Sequence, residues 1–317
     1  MKFLSNAALD RLRAAADAPD LSGTRYQLVD KLGQGGLGGV YRVEDTALER
    51  KVALKVIGVA DPGGELAARL LREARVIAQL EHPGIVPVHD IGTLPDGRVF
   101  YTMKLVQGRS LDEHVPQLGS IADRLRVFEK ICEAVSFAHA HGVLHRDLKP
   151  QNIMVGPFGE VLVMDWGLSK VLADANPPAR LPGAISNAGP GTGHGAVLGT
   201  PGYMAPEQAR GEKLDQRADV YSLGAILKFL LNFGERPPRP VVAIAEKAVA
   251  EDPALRYEAA QELAADVAHY LDGLPVSAYP ESAPTRIWRW TVRNRAWLLL
   301  ILAYALMRTL FILWRGK

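Results

Sequence analysis

Apolar positions recur with two different periods along this chain, and the period changes near residue 110. From Tyr26 the apolar residues come in short β-rich runs, at Tyr26–Lys31, Val40–Glu44, Lys51–Gly58, Ile85–Gly92 and Val99–Leu105, separated by Gly, Pro and Asp turn signals. One helical stretch, Gly64–Leu80, interrupts them. After Ser110 the apolar spacing becomes three and four, in Ile121–His141, Ala218–Asn232 and Ala259–Leu271, which predicts helices. The fold class expected is therefore α+β, a small β-rich lobe with one helix over 23–105 followed by a larger helical lobe over 106–272. Residues 1–22 lack a long apolar core, so they read as a short amphipathic helix or a frayed tail and not as a secretory signal.

Composition changes this picture little. Of 317 residues 48% are hydrophobic and 23% charged, which is enough to build a large core and excludes disorder throughout. A formal charge of +2, without a long basic run in the body of the chain, gives no case for nucleic-acid binding. The single cysteine, Cys132, permits no internal disulfide and reads as a buried small hydrophobe in a reducing compartment.

The candidate chemistry is concentrated in His145-Arg146-Asp147-Leu148-Lys149-Pro150-Gln151-Asn152 and in Asp165-Trp166-Gly167. Asp147 can accept the proton of an incoming hydroxyl, while Asn152 and Asp165 can each hold an Mg²⁺ that bridges phosphates, so the spacing suits phosphoryl transfer. His145 and Trp166 read as packing residues. Upstream, Gly33-Gln34-Gly35-Gly36-Leu37-Gly38 lies between two predicted strands and is weak evidence alone, since glycines also serve hairpins. Lys55 follows on the next strand within Val52-Ala53-Leu54-Lys55, and Glu73 in the next helix is placed to pair with it. Singly these would be a snorkelling lysine and a solvated charge; together and in this order they point to a phosphate-binding pair.

In these motifs, from about Tyr26 to Leu271, the chain resembles a eukaryotic-like serine/threonine protein kinase of bacterial type. The resemblance implies a bilobal protein-kinase-like fold, ATP with Mg²⁺ or Mn²⁺ as cofactors, and Ser/Thr hydroxyls of proteins as acceptors. It further implies that the loop with Gly33, Gly35 and Gly38 covers the phosphates and that Val40, Ala53 and Met154 sandwich the adenine. Met103 would be the gatekeeper, with the backbone of Lys104 to Val106 on the base edge. Lys149 resembles the lysine that separates Ser/Thr from Tyr kinases, and Thr200 a substrate-facing threonine. Glu207 would pair with Arg256, and Asp219 would brace the catalytic loop. A homodimer would allow autophosphorylation in trans.

Two features depart from the pattern. Only 36 residues separate Asp219 from Arg256, and Gly234–Pro240 stands where such chains carry a further helix, so a docking helix is expected to be missing. The segment between Asp165 and Glu207 is rich in Gly, Ala and Pro over Ala173–Val197, which predicts mobility until something orders it. Arg146 is placed to receive a phosphate from that segment. The position four before Thr200 is Ala196, so Ser186 or Thr192 would carry that phosphate, or activation needs none. A scaffold that binds ATP with little turnover is the alternative, although Lys55, Asp147 and Asp165 are all present. A small-molecule kinase is disfavoured by Ala205-Pro206-Glu207 and Asp219.

The C-terminal run Ala296–Trp314 has nineteen residues, about 28 Å as a helix and close to the thickness of a bilayer core. Its ten Leu, Ile and Phe offset Arg308, so a transmembrane helix over 296–314 is expected, with a helix docked on the protein or lying in the interface as the competing reading. Arg286, Arg289, Arg293 and Arg295, with Trp288 and Trp290, give the linker 273–295 a basic aromatic collar. The positive-inside rule then keeps the larger domain cytoplasmic in a single-pass arrangement. Because so few residues follow Trp314, a C-terminal tail anchor is expected.

Overall fold

The computed structural model describes residues 18–35, 38–57, 71, 74–75, 77–166, 202–280, 290–291 and 294–315. The first lobe is an antiparallel five-stranded sheet in the order β1-β2-β3-β5-β4, formed by β1 (Tyr26–Gly35), β2 (Gly38–Asp45), β3 (Arg50–Ile57), β4 (Val88–Thr93) and β5 (Val99–Lys104). Side chains alternate across a strand, so each strand feeds two faces. Tyr41, Val43, Val52, Leu54, Val56 and Phe100 cluster on one face, and Ala53, Tyr101 and Met103 join the main core on the other. Lys55, two residues after Ala53, is thereby aimed at the inner face. Gly39 lies close against the Tyr41 ring, and a Cβ there would stand 2.5 Å from the Tyr41 hydroxyl oxygen, so any larger residue requires that side chain to shift.

The expected strand at Ile85–Gly92 begins three residues late. Pro87 has no N–H to give a ladder, and Ile85 instead bridges in parallel to Val163 of the second lobe. Val163 N–H donates to the Gly84 carbonyl at 2.8 Å, which ties the lobes together beside the cleft. The expected helix Gly64–Leu80 lies mostly outside the described residues; its Ala74 and Ile77 are buried in the main core.

The second lobe is helical. Helix α1 (Leu111–His114) is short, and α2 (Ile121–Ala140) starts on a capping box in which the Ser120 side chain accepts from Asp123 N–H. A small sheet in the order β6-β7-β8, from Arg109–Ser110, Ile153–Val155 and Val161–Val163, escaped the sequence reading because strands this short carry no measurable period. Helices α3 (Pro206–Ala209), α4 (Gln216–Leu231), α5 (Arg239–Ala248) and α6 (Ala260–Leu271) complete the lobe. After α4 the chain turns at Gly234, φ 73°, and enters α5 directly, with Pro240 in its first turn. Arg124 of α2 is buried beneath this turn and donates to the carbonyls of Leu230 and Phe233.

Helix α7 spans Arg295–Arg315. Among the described residues no helix is long and apolar enough to cross a membrane, so the span expected over 296–314 is not recovered. The side chains of 296 and 309–313 lie outside the described residues, and the run that remains, 297–308, rises only about 18 Å against a bilayer core of about 30 Å.

Candidate active site

Three pieces of backbone bring the candidate residues together, and a buried carboxylate holds the central one. Asp219, in the first turn of α4, is 1% exposed. Its Oδ2 accepts from His145 N–H and lies 2.8 Å from His139 Nε2, and its Oδ1 accepts from Arg146 N–H at 2.8 Å. Burial opposes the charge on Asp219, yet these donors hold its pKa below the usual aspartate value. The loop needs this brace, because Arg146 sits at φ 66°, a conformation costly for a non-glycine residue. Gln208 of α3 adds a second tie by donating to the Arg146 carbonyl at 2.9 Å.

Asp147 follows. Lys149 Nζ reaches its Oδ2 at 3.0 Å, and Asn152 Nδ2 donates to its main-chain carbonyl at 2.8 Å and to Oδ2 at 3.2 Å. With its amide nitrogen committed, Asn152 has its side-chain oxygen left to meet a cation. Met164 N–H donates to the Asn152 carbonyl at 2.8 Å, fixing the strand that ends just before Asp165. Asp165 is also left-handed, φ 58°, and its Oδ1 accepts from Lys55 Nζ at 2.6 Å. Thus the lysine of β3 spans the cleft to the second lobe. Burial opposes the charge on Lys55, but Tyr101 and Asp165 beside it raise its pKa, so the side chain stays an ammonium.

His145 and Trp166 form the floor, their rings 4.8 Å apart. His145 Nε2 lies 2.8 Å from the Met164 carbonyl, and Trp166 Nε1 donates to the Val163 carbonyl at 3.1 Å. Burial lowers the His145 pKa, which suits packing and not proton transfer.

On the nucleotide side Ala53 and Met103 are buried directly opposite one another on β3 and β5, and Val40, Val106 and Met154 pack against the same core. Lys104 is exposed at the end of β5. Gly33 and Gly35 lie on β1 and Gly38 on β2, with Gly35 paired to Gly38. A Cβ at Gly33 would meet nothing, so this end of the hairpin is open. Among the described residues no group of three His, Cys, Asp or Glu could hold a metal. Asn152 and Asp165 still fit Mg²⁺, which takes few protein ligands and completes its shell with phosphate oxygens and water. Glu73, Ser186, Thr192 and Thr200 lie outside the described residues.

Several residues of the site were not singled out from sequence. His139 and Gln208 have no motif of their own. Tyr101 could have been found, since it stands two residues before Met103 on a strand and so shares its face.

Residues 26–262 match the family model described as Protein kinase domain. The chain is 35% identical over 298 residues to the serine/threonine-protein kinase PknD of Protochlamydia amoebophila and 36% identical over 298 residues to PknD of Chlamydia caviae. These alignments cover 78% and 79% of this chain but 30% and 32% of those proteins. The chain therefore spans about a third of the length of the curated relatives it matches. Among solved structures it is similar to the kinase domain of Mycobacterium tuberculosis PknI, with a TM-score of 0.57 at 27% identity, covering 79% of this chain and 96% of that one.

Proposed function

The chain belongs to the protein kinase family, and we propose that it transfers the terminal phosphoryl group of ATP to Ser or Thr hydroxyls of proteins. One observation carries this reading: Lys55 of the first lobe meets Asp165 of the second at 2.6 Å, on the same cleft where Asn152 is clamped to Asp147. The family uses ATP with a divalent metal, which neutralises charge on the phosphates.

Asp147 receives the acceptor's proton as its hydroxyl oxygen bonds to phosphorus and the bond from phosphorus to the ADP oxygen breaks. Lys149, 3.0 Å from Asp147, keeps that carboxylate oriented and lends positive charge to the moving group. Lys55 would orient the inner phosphates, and Asn152 and Asp165 would supply the protein oxygens to a divalent metal that neutralises phosphate charge. Val40, Ala53, Met103, Val106 and Met154 form the apolar slot for the base, and the Gly33–Gly38 hairpin covers the phosphates with backbone alone.

Membrane attachment through α7 belongs to the same proposal. Trp297, Leu299, Leu300, Ile301, Leu302, Leu306 and Met307 are each more than 60% exposed, so among the described residues the helix presents apolar side chains around its circumference. Such a surface needs a non-aqueous partner, and the arginine-rich linker before it suits the cytoplasmic leaflet.

The kinase reading is tested by incubating the chain with Mg-ATP and a generic protein substrate and mapping phosphorylated residues by mass spectrometry. Transfer to Ser and Thr is expected in the wild type. Asp147→Ala should lose most turnover while still binding nucleotide, and Asp165→Ala should lose Mg²⁺-dependent transfer. Equal activity of wild type and Asp147→Ala would favour the ATP-binding scaffold.

A further inference from the structure

After α6 the chain does not leave the second lobe at once. Leu274 N–H donates to the His269 carbonyl at 2.7 Å, and a short strap follows between Pro275 and Pro280. Val276 is buried, and Ala278 and Tyr279 pack against the main core. One carboxylate holds this strap. Asp266 of α6, 4% exposed, accepts from Ser277 N–H at 2.8 Å and from Ala278 N–H at 3.1 Å. It also accepts from the Ser277 hydroxyl at 2.7 Å and the Tyr257 hydroxyl at 2.8 Å. Burial opposes the charge on Asp266, but the Ser277 and Tyr257 donors keep its pKa below the usual aspartate value.

Ser277 itself is exposed, and its hydroxyl has a second neighbour. Lys247 Nζ, from the last turn of α5, donates to Ser277 Oγ at 3.2 Å, and the same ammonium lies 4.1 Å from the centroid of the Tyr257 ring. The hydroxyl thus stands between a buried carboxylate and a lysine. A phosphoryl group on it would reverse the balance of these two contacts. The ester oxygen has no proton to donate to Asp266, and a charge of about −1.5 to −2 would repel that carboxylate and attract the ammonium.

We propose that Ser277 is a phosphorylation site and that its phosphate opens the strap, exchanging the Asp266 contact for one with Lys247. The inference rests on the kinase reading, with ATP in the cleft of a second copy of this chain as donor. Ser277 Oγ bonds to the terminal phosphorus, the bond to the ADP oxygen breaks, and the hydroxyl proton passes to Asp147 of that copy. The hydroxyl reaches that cleft when the strap is open, so the phosphate traps a state reached by local opening. Released, residues 272–279 add up to about 26 Å of reach to the connection between the lobe and α7.

The experiment uses the full chain. Wild type is incubated with Mg-ATP, a generic protein substrate and a tagged Asp147→Ala chain as acceptor, and mass spectrometry reads the phosphorylated residues. Amide hydrogen exchange over residues 276–279 is compared in wild type, Ser277→Ala and Ser277→Glu. Phosphate is expected on Ser277 of the tagged chain. Exchange should be roughly tenfold to a hundredfold faster in Ser277→Glu than in Ser277→Ala, because alanine removes one donor whereas glutamate sets a charge against Asp266. A serine that served the fold alone would make the two variants alike. Equal exchange in them would overturn the inference, as would an unmodified Ser277 in a mixture where the generic substrate is phosphorylated. A generic substrate left unmodified would instead refute the kinase reading, and the exchange comparison would still decide whether charge at Ser277 opens the strap.

Discussion

Asp219 gathers three donors onto one carboxylate, from His139, His145 and Arg146, and so sets the loop that carries Asp147. An amide cannot accept at both ends, because its nitrogen donates. Asp219→Asn should therefore oppose one N–H with another and release the strained Arg146. We expect turnover to fall by roughly ten- to a hundredfold and stability by about 1–3 kcal/mol, read by steady-state assay and thermal denaturation. Arg146 also frames a regulatory prediction. If phosphate on the segment after Asp165 orders it, autophosphorylation should fall on Ser186 or Thr192, and a double alanine variant should lose activity several-fold. Full activity of that variant, with no phosphate found by mass spectrometry, would show that activation needs none.

The elements behind the site are joined by a buried ion pair. Arg256, after α5, donates from Nη1 and Nη2 to Glu207 of α3 at 2.6 and 2.8 Å and to the carbonyls of Arg217 and Glu251, and from Nε to the carbonyl of Ala250. Both side chains are nearly inaccessible, 0% and 7% exposed. Removing one partner strands a charge in the interior, so Arg256→Met should cost about 3–5 kcal/mol. Burial would raise the Glu207 pKa, but Arg256 holds it below the usual 4.5. A depressed carboxylate stabilises the folded state above its unfolded pKa and loses that contribution as pH falls. Acid denaturation should therefore steepen below about pH 4.5 in the wild type, and Glu207→Gln should remove part of that slope. Denaturant midpoints measured from pH 7 to pH 3 check the sign.

At the scale of the whole molecule, the exposed apolar surface of α7 separates the membrane proposal from the rest. Full-length protein should remain with the membrane pellet after alkaline carbonate extraction, and truncation after Arg295 should release it as soluble kinase. The truncated form retains the four-arginine collar, each arginine worth about 1 kcal/mol near an anionic surface. It should therefore bind phosphatidylserine vesicles in low salt and leave them in high salt. Full-length protein in the carbonate supernatant would return the segment to an interfacial or partner-bound helix.

The chain's own order of residues determined the two-lobe plan and the core helices of the second lobe, and it singled out Lys55, Asp147, Asn152 and Asp165 as candidates, because periodicity and short motifs are local properties. It misplaced the start of β4, where a proline and a contact between lobes moved the boundary, and it missed the three short strands beside Asn152. Tertiary structure alone decided which partners those residues keep. Lys55 and Asp165 lie 110 positions apart, and Arg146 and Asp219 73 apart. No periodicity links such positions; packing brings them together. Tyr101 shows the boundary between the two: strand alternation assigns its face, but only the pairing of β3 with β5 sets it opposite Lys55. Local pattern thus marked the candidate groups, and long-range packing fixed the distances at which they stand.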